Sequence, residues 1–379
     1  MAVFFLVATA IYGGVHAYVW WKTTGQLGLR GAPAALLALF FAAVVVAPFL
    51  GRLLRNGSAL FNAVELATFL WMGIVFYLFC FNLGADAWNL VAGALRLVTA
   101  GAGPPGVGGP RLFAAIAGAT ALVVGWAAVE AQNVRIRRLE VPSAKLAAGS
   151  PPVRIVQVSD VHLGMLLGPR RLSRILNRVR EARPDLLVAT GDMLDAVGAH
   201  LEPLAAMWRG VEAPLGKLAI TGNHEYYTGI PGALAFLEGA GFRVLRDETA
   251  VAGPIAVVGA EYRPPPGLPG APARTRSVPE LLAEAGPARF RLLLKHLPTG
   301  FEEEAAPGGA DLQLSGHTHD GQMYPFRWLV RLSFPHTAGL FRAGASRLYV
   351  SRGTGTWGPP LRFLAPPEVT LIELVPATP

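Results

Sequence analysis

The chain has 379 residues, 52% of them hydrophobic, with a mean hydropathy of +0.41, which is too apolar for a wholly soluble domain. The net charge is +8, but no nucleic-acid-binding motif accompanies it, and many arginines flank apolar runs as juxtamembrane residues do, so a nucleic-acid partner is not expected. Cys80 is the single cysteine, which excludes an internal disulfide.

Four apolar runs come first, at about Ala2–Trp21, Ala32–Leu50, Val64–Leu83 and Leu112–Val129. Each approaches the ~20 residues that cross a bilayer as a helix. The first lacks the basic start of a signal peptide and is read as an uncleaved helix, with Tyr18, Trp20 and Trp21 in an interfacial belt. Trp88–Thr99 is apolar but short and carries Arg96, which suggests an interfacial or re-entrant segment. Gly101–Pro110 is a loop rich in Gly and Pro. Residues 1–132 are therefore expected to form a four-helix membrane anchor, and 133–152 a basic juxtamembrane segment and linker.

From Val153 the pattern changes. Strands are expected at Arg154–Ser159, Asp185–Thr190 and Lys217–Thr221, alternating with helices at Pro169–Ala182, Leu201–Arg209 and Pro231–Gly239. Strands then dominate, at Ile255–Gly259, Phe290–Leu294, Leu312–Ser315, Leu348–Ser351 and Val369–Leu374, with one helix at Ser277–Ala285. Arg263–Arg276 reads as a surface loop. The alternation makes 153–379 an α/β layered domain.

Metal-ligand residue types recur where these strands end: Asp160-Val-His162, Gly191-Asp192-Met-Leu-Asp195, Gly222-Asn223-His224-Glu225, His296, and Gly316-His317-Thr-His319. Ligands of open α/β sheets gather beyond the carboxyl ends of strands. In a D-x-H pair at the end of a strand, alternate residues point to the same side, so Asp160 and His162 aim at one ion. Mixed nitrogen and oxygen donors suit Mn, Fe or Zn better than Mg or Ca. One carboxylate between two ligand groups is able to bridge two ions about 3.5–4 Å apart, an arrangement that hydrolyses phosphoesters. Each motif alone is a common turn or cap; all five in this order are not.

These blocks resemble the calcineurin-like metallophosphoesterase superfamily, whose pattern runs D-x-H, G-D-x-x-D, G-N-H-[DE], H, G-H-x-H. The resemblance covers about Arg154 to Leu374 and is closest to a membrane-anchored bacterial branch related to the UDP-2,3-diacylglucosamine hydrolase group. Ser159-Asp-Val-His-Leu-Gly164, Gly316-His-Thr-His-Asp-Gly-Gln322, Ser351-Arg-Gly-Thr-Gly355 and Pro366-Pro-Glu-Val-Thr370 carry it. Asp320 and Lys295 depart from that branch, and Asp320 adds negative charge near the site. The resemblance implies a four-layer α/β/β/α sandwich and two divalent ions. One ion would take Asp160, His162, Asp192 and His319. The other would take Asp192, Asn223, His296 and His317. His224 would serve the leaving group, oriented by Asp195. Arg352 is a candidate phosphate contact; His200 and His336 stand in less suitable contexts than His296.

The expected reaction is hydrolysis of a phosphodiester or pyrophosphate, in a lipid where the substrate is membrane-borne. The alternatives are a phosphoprotein or cyclic-nucleotide phosphatase, and a non-catalytic membrane sensor that keeps the fold. Met323–Phe334, which mixes large apolar residues with Arg327 and Arg331, reads either as an interfacial segment or as packing over the site. The resemblance implies an integral protein of a bacterial inner membrane, and the slight arginine bias favours a cytoplasmic catalytic domain.

Overall fold

The computed structural model describes residues 2–53, 59–164, 167–198, 201–265, 270 and 275–377. His200 and Arg55 lie outside the described residues, as does most of the 263–276 loop. The chain forms two compact units, Met1–Ala128 with Gly358–Leu361, and Val129–Trp357 with Arg362–Pro379.

The first unit is helical: α1 (Ala2–Leu27), α2 (Ala32–Leu53), α3 (Ala59–Val98) and most of α4 (Gly109–Gln132). Val19, Phe41 and Val75 meet at its centre. Two segments among the described residues, not the expected four, are long and apolar enough to span a bilayer: Asn62–Val98 and Gly109–Gln132. Among the described residues, Ala32–Ala47 of α2 is a shorter apolar stretch. The segment expected to be interfacial, Trp88–Thr99, continues α3 instead. That helix has 40 residues and so rises about 60 Å. Asp86 does not break it, because its carboxylate pairs with Lys22 and accepts from Tyr18.

The second unit holds two six-stranded sheets. The first runs β1 (Arg135–Ser143), β12 (Glu368–Pro376), β2 (Val153–Val158), β3 (Leu186–Thr190), β4 (Lys217–Ile220) and β5 (Arg243–Val244). The second runs β10 (Gly339–Ala343), β11 (Ser346–Val350), β9 (Leu312–Ser315), β8 (Phe290–Lys295), β7 (Ile255–Ala260) and β6 (Glu248–Ala252). Strands β2, β3 and β4 are mutually parallel, as are β7, β8, β9 and β11. The strands alternate as the pleat requires. Ile155, Leu186, Val188, Leu218 and Ile220 join Val257, Leu292, Leu294 and Leu314 in a core common to both sheets. Their sequence neighbours Val156, Val158, Leu187 and Ala189 face a second core with α5 (Pro169–Glu181), α6 (Glu202–Arg209) and α8 (Ile230–Gly239). Helix α5 shows why: Leu172, Ile175, Leu176 and Val179 fall on one helical face while its arginines lie elsewhere or reach partners, and Pro169 starts it. A third cluster puts Leu281 and Leu282 of α9 (Val278–Ala285) against Val258 and Leu293.

The segment expected as a linker, 133–152, begins instead with the edge strand β1, paired in parallel with β12 over nine residues. Its arginines obscured the strand because they occupy solvent-facing positions, while Val141 points into the core. Strand β1 follows α4 after only Asn133 and Val134. Since β12 is antiparallel to β2 and parallel to β1, the chain enters this sheet at the carboxyl end of β2.

Candidate metal centre

The sequence motifs all follow parallel strands. Asp160 and His162 come after β2, Asp192 and Asp195 after β3, Asn223 and His224 after β4. His296 directly follows β8, and His317 and His319 follow β9. The strand pleat does not aim the first pair, as the sequence suggests. Strand β2 stops at Val158, and Asp160, His162, Asp192, His317 and His319 each take left-handed backbone, with φ of 52°, 53°, 53°, 70° and 50°. Such conformations cost about 1–3 kcal/mol each for non-glycine residues and persist where the surroundings over-determine them. Gly191 adopts φ 90° directly before Asp192. Gly222 has ordinary φ and is needed for space: a Cβ there would collide with Asp192 Oδ1 and lie 2.8 Å from His296 Cε1.

Glu225 ties two of these loops together. Its buried carboxylate accepts from the backbone N–H of Gly222 (2.7 Å), Met193 (2.7 Å), Asp192 (3.0 Å) and Leu194 (3.3 Å). Asp160 likewise accepts from the His317 backbone N–H at 2.9 Å, joining the β2 and β9 loops.

Three groups of donors converge, each with atoms within 4.8 Å of one another: Asp160, His162 and His319; His162, Asp192 and His224; Asp192, His296 and His317. Asp192 is common to the last two. In the first group His162 Nε2 faces His319 Nε2 at 3.0 Å, and His319 Nε2 lies 3.5 Å from Asp160. On the other side His296 Nε2 faces Asp192 at 3.3 Å, Asn223 Oδ1 at 3.1 Å and His317 Nδ1 at 3.2 Å. The Nδ1 of His296 donates to the Thr190 carbonyl at 2.8 Å, which fixes its tautomer.

Electrostatics sort these rings. Burial, and then the charge of His296, push His317 down to about 3, so it offers a lone pair. Burial and the Arg362 guanidinium push His319 well below its ordinary value as well. Burial alone would lower His296 and His224, but carboxylates outweigh it. Asp192 foremost holds His296 at about 10, and Asp192 with Asp195 holds His224 at about 9. Asp192 itself stays well below the usual carboxylate range despite burial, because His296 and His224 face it. Neutral imidazoles at His317 and His319 and an ionised Asp192 are donor states a borderline divalent cation requires, and an ion there would displace the proton of His296, so these residues fit such an ion.

Asp195 orients more than His224. Its Oδ1 lies 2.7 Å from Nδ1 of His224 and 2.7 Å from Nδ1 of His162, so one carboxylate fixes both rings. Burial would raise Asp195, and the two imidazoles reverse that shift. Arg352, the candidate phosphate contact, has other partners: Asp320 at 3.1 Å and Glu368 at 3.0 Å. Asp320, expected to add negative charge, is buried and paired with both Arg352 and Arg327. His336 pairs with Glu302 instead of joining the cluster.

Arg362 went unremarked in the sequence. It is fully buried and donates to the carbonyls of Gly355, His319 and Arg352, and its Nη2 lies 2.9 Å from His319 Nδ1. The available signal was a lone charge in the apolar stretch from Pro359 to Ala365.

The profile of the calcineurin-like phosphoesterase family matches residues 153–321. An uncharacterized metallophosphoesterase of Aquifex aeolicus is 34% identical over 255 residues, 67% of this chain and 96% of the relative. The chain belongs to the calcineurin-like metallophosphoesterases. An uncharacterized metallophosphoesterase of Helicobacter pylori is 32% identical over 59% of this chain, which spans 60% of that relative. A Danio rerio protein named transmembrane protein with metallophosphoesterase domain is 32% identical over 64% of this chain, which spans 58% of it. Membership in the metallophosphoesterases implies a metal-dependent hydrolase of phosphoesters.

Proposed function

We propose that this is a membrane-anchored, dinuclear phosphoesterase that cleaves a phosphodiester or pyrophosphate carried by a lipid. The observation that carries the reading is the chain of donor groups: Asp192 joins His296 with His317 on one side and His162 with His224 on the other, and His162 in turn joins Asp160 and His319. One cation would be held by Asp160, His162, Asp192 and His319, the other by Asp192, Asn223, His296 and His317. Two cations of manganese, iron or zinc would neutralise phosphoryl charge and acidify an attacking water. The chain's own residues do the rest. Asp192 and Asp195 push the His224 imidazole up to about 9, and with Nδ1 on Asp195 its Nε2 is left to donate to the leaving oxygen. Tyr227 and Trp357 flank the His224 ring edge-on, with centroids at 5.4 and 6.2 Å, and limit its rotation. The membrane anchor rests on the two helices of spanning length and on the name of the Danio rerio relative.

The test uses the full chain purified in detergent. Chelated protein given Mn should hydrolyse bis(p-nitrophenyl) phosphate, and faster than the monoester. Metal-loaded protein that turns over neither compound would point to a non-catalytic sensor; a preference for the monoester would point to a phosphatase.

A further inference from the structure

Three features bear on what the mouth of this site faces. The first is connectivity. Helix α4, one of the two segments able to span a membrane, ends at Gln132, and β1 begins at Arg135. Three residues reach about 10 Å at most. The second is direction. Strand β1 starts level with the carboxyl end of β2, the end from which Asp160 and His162 extend. The sheet is therefore entered from the membrane helix at its catalytic end.

The third is α10 (Arg327–Ser333). None of its side chains is buried, although it carries Trp328, Leu329 and Leu332, exposed by 54%, 58% and 83%. Arg327 and Val330 are half-buried, but nothing buries Trp328, Leu329 or Leu332, whereas a headgroup interface accepts three such apolar side chains. Arg331 lies over the Trp328 ring at 5.0 Å, a cation beside an apolar surface as lipid phosphates favour. The helix also borders the site at both ends. Arg327 pairs with Asp320, which follows His319, and Phe334 rests on the His317 ring with centroids 5.1 Å apart.

We infer that the outer face of α10 enters the headgroup region of the bilayer that anchors the chain, so that the metal centre opens onto phosphoesters borne by lipids in that leaflet. The contact stands on geometry alone; its consequence for substrate rests on the phosphoesterase reading.

The experiment separates the two. Full-length Cys80→Ser protein carrying a nitroxide on Leu332→Cys is reconstituted in phosphatidylcholine–phosphatidylglycerol nanodiscs. A label on Val251→Cys, exposed on β6, serves as the aqueous control. The 332 label should be relaxed by oxygen and shielded from a water-soluble nickel chelate, with the 251 label showing the reverse. Equal aqueous access at both positions overturns the inference. So does a 332 label shielded from both reagents with spin–spin broadening, which would mean a second copy covers α10. Trp328→Ser with Leu329→Ser should then slow hydrolysis of a diacylglyceryl p-nitrophenyl phosphodiester in the discs by about tenfold or more, and leave bis(p-nitrophenyl) phosphate within about twofold. Equal losses on both substrates overturn the lipid-access part. Failure of the parent protein to cleave either substrate removes the reaction reading, while the nitroxide result still decides the contact.

Discussion

Asp192, His224 and Asp195 sit close together, and their contacts assign them different work. Asp192 touches both donor groups, so Asp192→Ala should lose bound metal and activity together, read by metal analysis and turnover on one sample. His224 is held by Asp195 and lies outside the proposed ligand sets. His224→Ala should keep its metal and lose turnover by about 100- to 10,000-fold, the usual range for a positioned proton donor. Full metal loss in that variant would end the division of roles. Asp195→Ala should differ from both. It releases His162 as well as His224, so metal affinity should drop by about 10- to 100-fold, as when the partner of a ligating histidine is removed. Titration calorimetry that finds wild-type metal affinity in Asp195→Ala would show that the His162 contact is idle.

At the scale of elements, the site is a set of loops leaving parallel strands, and the loops lean on one another. Gly222 lies where the β3 and β4 loops touch. Gly222→Ala should push Asp192 and His296 apart and lower metal content, while far-ultraviolet circular dichroism stays unchanged. Gly210→Ala, which meets only carbonyl oxygens at 3.7 and 3.9 Å, is the neutral control. The opposite ends of β2 and β3 are fastened by Arg154, whose backbone N–H and Nη2 both lie 2.8 Å from the Asp185 carboxylate. The Arg154 hydrogen bonds hold Asp185 below its ordinary value, outweighing its burial. A depressed carboxylate contributes stability above its unfolded pKa of about 3.9, and the contribution is lost as pH falls through the lower folded value. Asp185→Asn should therefore unfold at lower temperature than wild type at pH 7, by about 1 kcal/mol or less for so exposed a pair, and the gap should close in acid. A gap that persists at pH 2 would assign the effect to packing.

At the scale of the molecule, the arginines that flank the helices give a prediction of orientation. Arg52, Arg135, Arg137 and Arg138 flank the two spans on one side, and Arg96 and Arg111 on the other. By the positive-inside rule, the excess on the first side predicts a cytoplasmic catalytic unit. A C-terminal fluorescent-protein fusion should be bright and an alkaline phosphatase fusion inactive; the opposite pair would put the site outside. The two spans found among the described residues and the four expected give the same sidedness, because the counts differ by an even number of crossings.

Ten residues of the site were legible as residue types in the chain: strand hydrophobicity located the strand ends, and polar ligand types stood just past them. Most strands and helices of the second unit were legible too, because half-buried strands and amphipathic helices write their periodicity into the sequence. Long-range partners are not written there. Nothing near Asp195 says that it serves two imidazoles, since His162 is 33 residues away and His224 is 29. Nothing near Arg352 says that Asp320 and Glu368 occupy it, or near Arg135 that its strand pairs with the end of the chain. Pairing across such distances depends on which faces the two sheets bury against each other, and that is settled only when the sheets pack. The left-handed backbone of the candidate ligands is of the same kind. Local propensity opposes it, and only the assembled loops, through contacts such as the four N–H groups on Glu225, hold it in place.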